Sequence, residues 1–190
     1  MKTYIVLLLC WCMLVVVGCS NNPNNPPVSG EHPPATTVIL TLIRTNAAGV
    51  ALDTTSCTVR DTSVIKGKPL VEGKLSLLAG STYKGSFMLF DESQTPSKDI
   101  TSTIVDEKDA HVFKFSVKEN GTTSSTLVIT DLDKDSKGLD FGLNFRATTS
   151  AVSKPTNGVI HVLLEHHDDG NKAGATFDTD LNRDFPFELQ

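Results

Sequence analysis

HVFKFSV, residues 111–117, decides how this chain is read. On an extended backbone His111, Phe113, Phe115 and Val117 share one side, and Val112, Lys114 and Ser116 share the other. An apolar period of two predicts a half-buried strand, not a helix. The pattern recurs in both directions. TVILTLI (37–43), SCTVRD (56–61), KLSLL (74–78) and YKGSFMLFDE (83–92) precede it; STLVITD (125–131), FGLNFRATT (141–149), GVIHVLLEH (158–166) and DFPFEL (184–189) follow it. Roughly nine short strands, separated by Gly, Asn, Asp, Pro and Ser turns, predict an all-β fold: an antiparallel β-sandwich, immunoglobulin-like in topology. At most one short helix is expected, in DITSTIVDEKDA (99–110), where β-branched residues weaken it. Pro186 within the last strand predicts a sheet edge or a strand end.

The N-terminus reads differently. MKTYIVLLLCWCMLVVVGCS has one positive residue, Lys2, and then an apolar run over 5–17. That run is too short to span a bilayer and fits a secretion signal. Its end, Val16-Val17-Gly18-Cys19, resembles a bacterial lipobox, which implies cleavage before Cys19 and lipidation of that cysteine. The expected organisation is a signal over 1–18, the lipidated Cys19 with an Asn/Pro tether over 19–36, and one sandwich domain over 37–190. The tether sequence SNNPNNPPVSGEHPPATT lacks the apolar surface to offset the entropy of ordering. Ser20 follows the cysteine and no acidic run comes after it. The serine points to the outer membrane, and the missing acidic run to its periplasmic face over the cell surface.

Maturation would remove Cys10 and Cys12 and acylate Cys19, leaving Cys57 without a disulfide partner. Losing Lys2 takes the formal net charge from -5 to -6. A negative chain offers nothing to nucleic acid, so the expected partners are the membrane, through the lipid, and an outer-membrane transport or envelope protein.

Two clusters carry candidate chemistry. His111 opens one apolar strand face and His166 closes another. If those strands run antiparallel, both histidines stand at one rim, where His167, Asp168 and Asp180 join them. Imidazole and carboxylate suit Zn, Cu, Ni or Fe. The plain alternative is a wet rim, because HHDDG is also a good turn. The second cluster is DLDKDSKGLDFG (131–142), where Asp131, Asp133 and Asp135 alternate as in a calcium loop. It lacks the glycine at position six and the glutamate at position twelve of an EF-hand loop. Its plain alternative is a solvated hairpin.

No linear catalytic motif is present: no GxSxG, no P-loop, no HExxH. Cys57 sits in a strand and reads as a small core residue. His32, His111 and His161 are candidate bases for which spacing alone identifies no partner.

Over residues 69–189 the order LLAGSTYKGSFMLFDE, KDITSTIVDEKDAHVFKFSV, TDLDKDSKGLDFGLNFR, GVIHVLLEHH and FDTDLNRDFPFEL resembles a group of small Bacteroidota lipoproteins. These often carry the label "type 1 periplasmic binding fold superfamily protein". The resemblance implies correspondence for His111, His166 and Asp180, and for Asp131 and Asp133 in the acidic hairpin. The label implies two βα-alternating lobes, but strands follow strands here. What carries over is an expectation of ligand binding. The function expected is a non-enzymatic, lipid-anchored envelope binding or accessory protein, with a metal or small ligand at the His/Asp rim. The alternative is a structural or adhesive envelope protein, and a hydrolase is the reading the motifs support least.

Overall fold

The computed structural model describes residues 35–61, 69–124 and 126–190. The expected signal, the lipobox Cys19 and the tether up to residue 34 lie outside the described residues. Ala35 and Thr36, assigned by sequence to the tether, are buried, and the Thr36 amide donates to the Phe90 carbonyl at 2.9 Å.

Among the described residues, twelve strands and one helix follow in order: β1 (Thr37–Thr45), β2 (Ala51–Arg60), β3 (Leu70–Glu72), β4 (Leu75–Leu77), β5 (Thr82–Asp91), β6 (Lys98–Asp99), α1 (Thr101–Asp106), β7 (His111–Glu119), β8 (Thr122–Thr123), β9 (Leu127–Thr130), β10 (Asn144–Thr149), β11 (Thr156–His166) and β12 (Asp178–Leu189). The strands beyond the expected set, β3, β6 and β8, span two or three residues each, too short for periodicity to register. The helix is shorter than the expected span, and only its Ile104 is buried.

One sheet runs β3-β2-β1-β5-β10-β9, with β6 beside β5; the other runs β4-β12-β11-β7-β8. All pairings are antiparallel except β12 with β4. β4 reaches only Phe187, Glu188 and Leu189. Pro186 thus sits where that flank of β12 has no ladder partner, which suits a residue without an N–H.

The inner faces meet in one core. Leu40, Leu42, Phe87 and Leu89 come from the first sheet; Phe113, Ile160, Val162, Leu164 and Phe185 come from the second. Phe87 joins the layers: its ring stacks on Phe113 at 5.0 Å and lies 6.0 Å from Phe185 and 5.7 Å from Phe145. Aromatic pairs of this kind contribute about 0.5–1.5 kcal/mol each beyond the area they bury. Gly85 stands opposite Phe145 in the β5–β10 register. A Cβ there would lie 2.3 Å from the Phe145 ring, so the ring needs this glycine. Cys57 is buried in the core, and burial pushes its thiol up to about 11.

Candidate metal centre

β7 begins at His111 and β11 ends at His166. The two strands are antiparallel neighbours, and their register sets His111 directly opposite His166. Both side chains continue the inward face already occupied by Phe113 and Leu164. The rings stack with centroids 4.4 Å apart and planes 15° from parallel. His111 is fully buried and His166 nearly so.

The third member comes from an irregularity in β12. Leu164 pairs with Leu181, but Glu165 pairs with Thr179, so Asp180 is an extra residue on its strand. Such a bulge breaks the alternation and re-aims a side chain. The Asp180 carboxylate consequently approaches the inward-facing His111, with Oδ2 3.1 Å from Nε2.

The second ring nitrogen defines the chemistry. His111 Nδ1 lies 3.0 Å from the Glu107 carbonyl oxygen. A carbonyl only accepts, so Nδ1 carries the proton and donates. In the neutral ring Nε2 then presents a lone pair toward a carboxylate, which is also an acceptor. Two acceptors at 3.1 Å call for a positive centre between them: a proton or a metal ion. A backbone carbonyl holding the far nitrogen of a ligating histidine is also how metal sites fix the tautomer.

The donor atoms of His111, His166 and Asp180 all lie within 4.8 Å of one another. A tetrahedral ion with bonds of about 2.0–2.1 Å separates its ligand atoms by about 3.4 Å. Closing the largest gap asks for side-chain movement of about 1.4 Å at most, by the same geometry. A pocket of about 170 Å³, lined by His166, Asp168, Asp169, Thr176, Phe177 and Asp178, adjoins the His166 ring. Its three carboxylates attract cations toward the His166 ring.

Two further residues expected as ligands lie outside the cluster of donor atoms. His167 follows His166 and so turns to the other face. There its Nε2 lies 3.2 Å from Glu165 Oε2, its ring lies 5.6 Å from Phe177, and its amide donates to the Ala110 carbonyl. Asp168 is exposed in the loop, with Oδ1 3.7 Å from His166 Nε2.

The acidic turn does not gather its carboxylates into a metal cluster among the described residues. Asp131 pairs with Arg146 at 2.7 Å. Asp133 accepts from the Gly142 amide and the Asn144 side chain, each at 2.8 Å. Asp135 accepts from the Lys137 and Leu139 amides, and its buried Oδ2 lies 2.8 Å from Lys172 Nζ. Lys172 Nζ also donates to the Asp140 carbonyl at 3.0 Å and sits 5.8 Å from the Phe141 ring centroid. The turn therefore already contains a cation, the Lys172 ammonium from the β11–β12 loop. Burial works to raise the Asp135 carboxyl, but the Lys172 hydrogen bond and the two amides outweigh it, and the group is held below its ordinary range.

Reasoning from sequence missed Lys172 and the Glu107 carbonyl. Lys172 lies in a polar loop with no pattern to mark it as buried, and backbone groups carry no sequence signal. No family model, curated protein or solved structure matches the chain.

Proposed function

We propose that this is a lipid-anchored envelope protein whose sandwich binds one divalent transition-metal ion through His111, His166 and Asp180, as a binding or accessory module. The observation that carries the reading is the meeting of His111 Nε2 and Asp180 Oδ2 at 3.1 Å while the Glu107 carbonyl holds the other ring nitrogen. Two imidazoles and one carboxylate suit zinc or copper better than calcium or magnesium, which prefer oxygen. Two packed, mainly antiparallel sheets support an immunoglobulin-like scaffold that presents the site at one end. Anchored through Cys19 on the periplasmic face of the outer membrane, such a module would pass its ion or a ligand to a transport or envelope protein.

The test has two arms. Metabolic labelling with a fatty acid should mark the full-length product and not Cys19→Ala. Elemental analysis of tag-free protein released from membranes should find about one transition metal per chain, as a single three-ligand site requires. Stoichiometric labelling without metal would leave the structural or adhesive reading in its place.

A further inference from the structure

The opposite face of the same sheet carries a second constellation. β7, β11 and β12 are adjacent, and their registers set Ser116 opposite His161 and His161 opposite Asp184. Serine, histidine and aspartate thus stand abreast on three neighbouring strands, about 4.8 Å apart from strand to strand. All three line one open groove of about 490 Å³, together with Lys118, Asn120 and Val159.

His161 Nδ1 lies 2.8 Å from Asp184 Oδ1. A carboxylate accepts, so the proton is on Nδ1 and Nε2 is the basic nitrogen. With Nδ1 turned toward β12, the ring places Cδ2 and Nε2 on the β7 side, where Ser116 stands. The carboxylate and imidazole stand as in a serine hydrolase, and the register puts the Ser116 hydroxyl across the strand pair from the ring, where a side-chain rotation would bring it to Nε2. Such sets are recognised by geometry, which is why the absence of GxSxG gave no hint of this one.

We propose that this groove is an acyl-transfer site for small esters, with Ser116 as nucleophile, His161 as base and Asp184 as its orienting partner. Ser116 Oγ bonds to the ester carbonyl carbon as His161 Nε2 takes its proton. The carbonyl electrons move to oxygen, and Lys118, two residues along the same face of β7, donates to that oxyanion. Collapse breaks the carbon–alkoxide bond, and His161 returns the proton to the leaving alcohol. Water then repeats the sequence on the acyl-serine, releasing the acid and restoring Ser116. Val159 supplies the apolar floor for the acyl chain. This inference is independent of the metal centre, which uses the inward face.

The test uses the full-length protein in EDTA. Diisopropyl fluorophosphate should lose fluoride and leave one phosphoryl adduct, placed on Ser116 by peptide mass spectrometry. Hydrolysis of p-nitrophenyl acetate should fall by about 100-fold or more in Ser116→Ala and in His161→Ala, the range of a base-activated nucleophile. Asp184→Asn should keep the adduct but lower the rate and shift its pH profile. All three substitutions lie on the solvent face, and circular dichroism checks their fold. An adduct elsewhere, no adduct, or a rate unchanged in Ser116→Ala overturns the proposal; the last result would mean that a bare imidazole does the work.

Discussion

Zinc binding should stabilise the folded protein, and Asp180→Asn should remove most of that gain. A ligand that binds only the folded state stabilises it by RT ln(1 + [L]/Kd), about 2.7 kcal/mol at a free concentration 100 times Kd. A domain of roughly 150–250 residues moves by about 2–4 °C per kcal/mol, so the melting temperature should rise by about 5–11 °C. Asp180→Asn keeps the side-chain shape but replaces the anionic oxygen 3.1 Å from His111 Nε2 with a neutral amide. Only two imidazoles then remain, and at the same zinc concentration the rise should shrink to about 2 °C or less, the shift left when binding is no longer saturated. Asp131→Asn is the control: that carboxylate is exposed, pairs with Arg146 and stands outside the triad. Differential scanning calorimetry at matched free zinc measures all three proteins. Equal shifts in wild type and Asp180→Asn, or no shift in wild type, would refute the reasoning.

Gly85→Ala forces a Cβ to within 2.3 Å of the Phe145 ring, an overpacking that costs about 1–3 kcal/mol; urea denaturation should show the loss, and Phe145→Leu in the same chain should recover part of it. Lys172→Met leaves the Asp135 carboxylate without its ammonium. Because folding holds that carboxyl below its ordinary range, its stabilisation is present above the unfolded value of about 3.9 and disappears as pH falls through the folded value. The stability deficit of Lys172→Met should therefore be largest near neutral pH and narrow below about pH 4, and a deficit that does not vary with pH would count against the buried pair. Cys57, with its thiol pushed up to about 11, should resist maleimide at pH 8 in the folded protein and react at once in guanidinium; rapid labelling of the native state would contradict its burial.

The fold was legible because strand faces alternate. Phe113, Phe115 and Val117 on one strand, and Ile160, Val162 and Leu164 on another, announce their inward sides without any knowledge of partners. The same alternation placed His111 and His166 on inward faces. Their pairing was conditional on antiparallel neighbours, a relation between residues 55 positions apart that no local window contains. His167 was misplaced at the ligand rim because composition groups adjacent residues while the pleat separates them. Asp180 reaches the site through a bulge, and bulges have no reliable sequence mark. The acidic turn looked like a calcium loop because its carboxylates are local, whereas Lys172, which answers their charge, lies in a different loop. The row Ser116–His161–Asp184 was invisible for the same reason: each member lies on a separate strand.

The most direct measurement is anomalous diffraction at the zinc edge from crystals grown with zinc. One peak within about 2.0–2.2 Å of His111 Nε2, an imidazole nitrogen of His166 and an Asp180 oxygen is the expected result. An empty rim, or a fully occupied peak only in the turn around Asp131 and Asp133, would contradict it.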